Sequence, residues 1–140
     1  MFCYQCQEAA KNTGCTIKGV CGKSEETANL QDLLIFALKG LSVYGEKANE
    51  LGVSTGDNGL FVTKAIFSTI TNANFDNDRL TALIQEALKR KESLKDNFLA
   101  AYKEKNGRDF DEPLHHSAAW FSDDVAEFHE KAKSVGILAT

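Results

Sequence analysis

At 140 residues the chain is long enough for one domain around one hydrophobic core. Its composition is that of an ordinary soluble protein, 43% apolar and 26% charged with one proline, and a formal net charge of −4 without a basic stripe gives no reason to expect nucleic acid. The longest uninterrupted apolar run, Leu33 to Leu38, is far too short to span a bilayer, so no membrane partner is expected.

The first stretch holds every cysteine of the chain: Cys3, Cys6, Cys15 and Cys21, at spacing C-x2-C-x8-C-x5-C. Thiols used for packing would be scattered through a core; four in one short segment can converge on a metal centre. Four thiolates suit tetrahedral zinc or an iron–sulfur cluster. Structural zinc favours two short C-x2-C knuckles, whereas the wide second pair here fits the more separated corners of a cluster. Gly14, Gly19 and Gly22 let the backbone wrap closely and aim N–H groups at sulfur. Lys11, Lys18 and Lys23 against Glu8 make the segment locally basic, which favours thiolates. On spacing alone, iron–sulfur is preferred, with zinc and then disulfides or free thiols left open. Met1-Phe2-Cys3-Tyr4-Gln5 has neither the basic start and apolar run of a secretory signal nor a lipoprotein anchor, so the chain reads as cytoplasmic and its cysteines as metal ligands.

Beyond the cysteines the spacing predicts four amphipathic helices and an all-α bundle. Ser24 to Ala28 starts the first, with Glu25 and Glu26 near its positive end. Leu30, Leu33, Leu34, Ala37, Leu38, Leu41, Tyr44, Ala48 and Leu51 then recur at helical intervals until Gly52, a left-handed cap. Gly40 and Gly45 lie inside that helix at a cost, which points to a neighbour packed closely against them. After a polar turn at Ser54 to Asn58, the run Leu60 to Ile70 is apolar nearly all round and predicts a buried helix. Thr71 to Asp76 is a loop in which Asn72 and Asn74 brace backbone or serve turns.

Asp76 caps the third helix, whose buried face is Leu80, Leu83, Ile84, Ala87, Leu88, Leu94, Phe98 and Tyr102, and Gly107 ends it. Lys89-Arg90-Lys91 with Lys95 reads as a solvated face, with a docking patch for an acidic redox partner as the sharper alternative. Arg108 to Phe121 is irregular; His115 and His116 there read as an ordinary surface loop, since adjacent histidines rarely aim at one ion. Trp120 and Phe121 are expected to close the bundle. A last helix runs to Ser134 from Ser122 or Asp124, with Val125, Phe128, Ala132 and Val135 inward, His129 exposed, and Asp124/Glu127 as a capping box. The cysteine loop is expected to cover the bundle end near the start of the first helix. No acid–base pair, nucleophile arrangement or phosphate loop accompanies it, which leaves one-electron transfer as the chemistry the residues support.

The runs Met1-Phe2-Cys3-Tyr4-Gln5-Cys6-Gln7-Glu8, Gly14-Cys15-Thr16, Gly19-Val20-Cys21-Gly22-Lys23 and Ala28-Asn29-Leu30-Gln31-Asp32-Leu33-Leu34 closely resemble the amino terminus of the hybrid-cluster proteins, also called prismane proteins or hydroxylamine reductases, in the form found in anaerobic sulfate reducers. The similarity continues through Thr69 to Phe75 and Lys131 to Thr140. The resemblance implies that Cys3, Cys6, Cys15 and Cys21 hold a [4Fe-4S] cluster. It also implies that 1–140 is one helical domain, a cluster loop over 1–23 and a bundle over 24–136, forming the N-terminal part of a longer hydroxylamine reductase. The catalytic hybrid iron–sulfur–oxygen cluster would then lie on histidine, glutamate and cysteine residues outside this chain, with a redox donor protein and the remaining reductase domains as partners. The segment itself would relay electrons without reducing substrate. The alternatives are a zinc-stabilised helical interaction module and a stand-alone ferredoxin-like carrier.

Overall fold

The computed structural model describes residues 3–11 and 13–136. Met1, Phe2 and residues 137–140, through which the sequence resemblance also runs, lie outside the described residues. Helix α1, Glu25–Leu51, is the mast against which every other α-helix packs. Its start is fixed by Ser24, whose hydroxyl accepts from the Thr27 N–H at 3.1 Å, and its end by Gly52 at φ 80°, a conformation that costs a residue without Cβ little. The apolar face predicted for it is buried from Leu30 through Ala48.

Helix α2, Asn58–Ile70, lies at the edge of the bundle, and α3, Asn77–Asn106, makes the broadest contact with α1. Asp76 caps α3 by accepting from the Arg79 N–H at 3.0 Å, and Gly107 closes it in the left-handed region. The α1–α3 seam contains two core clusters. Leu30, Leu33, Leu34, Leu38, Ile84 and Phe128 build one, and Leu41, Tyr44, Leu94, Phe98 and Ala118 the other. In the second, Phe110 meets Phe98 edge-on at 5.0 Å and Tyr102 at 5.2 Å. Full burial of each such side chain is worth about 1.5–3 kcal/mol, so the seam dominates the stability of the fold.

Two helices complete the bundle, α4 (His116–Ala119) and α5 (Val125–Val135). The single turn of α4 lies inside the stretch expected to be irregular, because the His115 side chain supplies a cap: its Nδ1 accepts from the Ser117 N–H at 3.2 Å. Asp124 caps α5 by accepting from the Ala126 N–H at 2.9 Å, but the reciprocal half of the expected capping box is replaced by Ser122, whose Oγ accepts from the Asp124 N–H at 3.0 Å.

Four packing expectations are corrected. Helix α2 forms but is not buried: only Ala65 and Thr69 are covered, while Leu60, Phe67 and Ile70 are more than half exposed. A helix at the bundle edge is covered on its inner side only, where Ala65 and Thr69 are buried and Phe61 and Val62 pack half-buried against the core. Gly45 has open space where a Cβ would stand, whereas at Gly40 it would lie 2.3 Å from the Ser117 carbonyl oxygen. Trp120 packs between Phe36 and Phe128 under the Lys131 ammonium, but Phe121 and Val125 stay partly in solvent. In the basic run of α3 only Lys89 is exposed as a solvated face would have it. Lys91 is fully buried, its ammonium donating to the Trp120 carbonyl, and Arg90 bridges Asp57 at 2.7 Å and Glu86 at 2.6 Å over the Phe61 ring. Lys95 is held by Glu92 at 3.0 Å.

Candidate metal centre

The cysteine loop is shaped by short backbone contacts. Cys3 and Cys15 face each other across a single antiparallel bridge, the Cys15 N–H donating to the Cys3 carbonyl at 3.1 Å. A 3-10 turn, Gln7–Lys11, follows Cys6, with the Ala9 N–H donating to the Cys6 carbonyl at 3.0 Å. A tight turn then carries Cys21, closed by the Gly22 N–H on the Gly19 carbonyl at 2.9 Å. Glycine is required at 19, since a Cβ there would stand 2.5 Å from the Lys23 carbonyl oxygen.

These turns bring all four cysteines to the lining of one small recess, open to solvent at its mouth, together with Gly19, Lys23 and Asn72. Cys15 is buried, Cys3 half-buried, and Cys6 and Cys21 exposed; all four are free thiols. They share the recess without closing on one point. Among the described residues no three His, Cys, Asp or Glu side chains gather tightly enough to hold a single ion. The histidine pair is spent locally: His115 caps α4, and burial, aided by Lys39 and His116, pushes its pKa below the usual imidazole value.

The loop runs along the side of α1, where Cys3, Tyr4 and Gln5 flank a shallow cleft with Ala28, Gln31, Asp32 and Ile35. Lys23 is the fastener. Only 2% exposed, its ammonium donates to the Gln5 side-chain oxygen, to Gln31 Oε1 at 2.7 Å and toward Cys3 Sγ at 3.9 Å. Gln5 in turn donates to the Thr69 carbonyl at the end of α2, and Gln31 to the Asn74 carbonyl at 3.0 Å. Asn72 stands at φ 50°, lines the recess, and has a buried Oδ1 without a hydrogen-bond partner. The Cys21 thiol is held below its ordinary pKa mainly by the Lys23 backbone N–H, against the opposing effect of desolvation; the Asn72 amide and the Lys23 charge add to the lowering.

This surrounding fits an anionic thiolate centre. Burying an ammonium against neutral partners is costly, and among the described residues the interactions of Lys23 with groups able to carry negative charge are with the sulfurs of Cys3 and Cys21. Lys23 and Asn72 were visible in the sequence as local basicity and as a loop brace. Gln5 and Gln31 were not. For Gln31 a signal exists in hindsight, a polar residue inside the apolar stripe between Ala28 and Leu34.

Comparison with known proteins gives one consistent result. The chain matches the Prismane/CO dehydrogenase family over residues 1–137. It is 62% identical over its whole length to a hydroxylamine reductase of Nitratidesulfovibrio vulgaris and 56% identical to one of Halothermothrix orenii, covering 25% of each. A hydroxylamine reductase of Clostridium botulinum is 44% identical over 159 aligned residues, 28% of that protein. The chain thus spans about a quarter of the length of these relatives. With the motif-bearing loop and the helices behind it all inside the matched region, the chain belongs to the Prismane/CO dehydrogenase family.

Proposed function

We propose that Cys3, Cys6, Cys15 and Cys21 hold a [4Fe-4S] cluster, and that the chain is the N-terminal, electron-relaying segment of a hydroxylamine reductase. In this reading 1–140 is one helical domain, a cluster loop over 1–23 on a bundle over 24–136, working in the cytoplasm. Electrons enter from a redox donor protein and leave toward a catalytic hybrid cluster in the remainder of the intact enzyme.

The observation that carries the proposal is the recess itself: four free thiols line it, beside a buried ammonium. The relatives' names supply the reaction class, and their length supplies the room for a catalytic centre elsewhere.

Bound there, such a cluster supplies a reversible one-electron store. The chain's own residues do the rest. Exposed Cys6 and Cys21 put one side of the recess at the surface, where a donor can approach. Buried Cys15 and half-buried Cys3 put the other side against the protein. The Lys23 backbone N–H and the Asn72 amide direct hydrogen-bond donors at Cys21, which favours its thiolate form.

Anaerobic isolation followed by iron and acid-labile sulfide analysis, absorption and EPR tests the reading. About four of each per chain is expected for a cubane. Zinc without sulfide would replace the reading with a zinc-stabilised helical module. Changing Cys15 to serine should abolish the spectrum, and its full retention would remove Cys15 from the ligand set.

A further inference from the structure

Among the described residues two lysines are almost wholly buried, and they are treated differently. Lys91, 0% exposed, has a carboxylate beside it, Glu92 at 3.1 Å. Lys23, 2% exposed, forms no ion pair with any carboxylate among the described residues. Its three N–H donors go to two neutral amide oxygens, those of Gln5 and Gln31, and to Cys3 Sγ at 3.9 Å, while the Phe75 ring lies 5.5 Å from the ammonium. Both amides are held from behind, by the Thr69 and Asn74 carbonyls, so the ammonium cannot swing to another partner without breaking bonds in two elements.

We propose that Lys23 is the fixed counter-charge of the cluster, raising its reduction potential as well as pinning the Cys3 arm of the loop. This rests on the cluster reading above. One-electron reduction adds a negative charge to a centre beside an ammonium that water barely screens. The reduced state therefore gains more from Lys23 than the oxidised state does, which at this depth amounts to about a tenfold shift in the redox equilibrium. No bond forms or breaks and no proton moves; the electron comes from an external one-electron donor.

The test uses the whole chain, loaded anaerobically with iron and sulfide and titrated with dithionite in the presence of mediators, followed by EPR and absorption. Lys23→Met should lower the midpoint so that the reduced-to-oxidised ratio at the wild-type midpoint falls about tenfold, or about 59 mV for one electron. Lys23→Arg, which keeps the charge, should titrate close to wild type. If the Met variant does not fold, Lys23→Gln removes the charge while keeping hydrogen-bond donors and is read in the same way. A neutral variant whose bound cluster titrates at the wild-type potential overturns the proposal even if loading or melting temperature falls, because Lys23 would then be a pin alone. Wild-type chain that takes up no iron and sulfide is a different failure, seen before any variant is made: it overturns the cluster reading and this inference with it.

Discussion

At the scale of single residues, Gly40 and Gly45 show how far spacing reaches. Both interrupt the same helix, and the cost of glycine there predicts a close neighbour for each. Only Gly40 has one, the Ser117 carbonyl of α4. Gly40→Ala should therefore lose about 1–3 kcal/mol from overpacking, against a helix-propensity gain of about 1 kcal/mol. Gly45→Ala, with nothing in the way, should gain about 0.5–1 kcal/mol. Urea denaturation of the two variants checks the opposite signs. Lys91 and Gln31 repeat the lesson from the polar side. Each occupies a position that helical periodicity assigns to the buried face, Lys91 between Leu88 and Leu94 and Gln31 between Ala28 and Leu34. Their chemical type argued for water, while their spacing argued for the interior, and spacing prevailed because each ammonium or amide found partners there.

Glu92 makes the Lys91 arrangement pH-dependent. Desolvation pushes its pKa up, but Lys95 and Lys91 push it down further, and the net effect is a lowered value. Lys91 approaches Glu92 Oε1 at 3.1 Å, yet that oxygen accepts no hydrogen bond, so the contact is an ion pair off the hydrogen-bond direction. An acid whose pKa is lower in the folded chain stabilises it above its unfolded value, and that contribution drains away as pH falls through the folded value. Glu92→Gln should thus cost about 1–3 kcal/mol at neutral pH, leaving Lys91 short of a charge partner. The gap to wild type should close as pH is lowered through and below the carboxylate range. Urea melts stepped down from pH 7 decide it, and a gap independent of pH removes the electrostatic account.

At the scale of elements, the four longer helices and most of their caps were legible: Ser24, Gly52, Asp76 and Gly107 sit where the start and stop signals placed them, and Asp124 is one of the two starts read for the last helix, whereas α4 was not foreseen. What covers each face was not, as α2 shows. Apolar composition measures how much a helix would gain from burial, not whether a neighbour stands beside it. Phe67 is 61% exposed and Phe98 is 2% exposed, although both are phenylalanines on predicted inward helices. Phe98→Ala should cost about 3–5 kcal/mol through lost transfer energy and a cavity between Tyr44 and Phe110. Phe67→Ser should change stability by no more than about 0.5 kcal/mol while weakening retention on a hydrophobic column. Equal losses from the two would mean that α2 is covered after all.

At the scale of the whole molecule, the loop and the bundle are joined where three helices come together. Thr27 on the first turn of α1 donates to Asn77 at the start of α3 at 2.7 Å, and the Gln5–Thr69 and Gln31–Asn74 hydrogen bonds tie the end of α2 and the following loop to the same corner. Chain order alone made it legible that the cysteines lie near the start of α1, since Cys21 precedes its cap by three residues. The bond from Gln5 to a carbonyl 64 residues away was not legible, because a backbone acceptor leaves no trace in residue type. If this corner makes loop and bundle one cooperative unit, cutting it inside the bundle should be felt at the metal. Gln31→Leu keeps the side-chain volume roughly constant and the helix intact, but deprives the Asn74 carbonyl of its donor and the Lys23 ammonium of one acceptor. A loss of about 2–3 kcal/mol is expected from these buried groups. The same variant, loaded with iron and sulfide, should release iron to a chelator several-fold faster than wild type, although residue 31 is not among the proposed ligands. Unfolding that shifts while iron release stays at the wild-type rate would show that the loop holds its centre without help from the helices behind it.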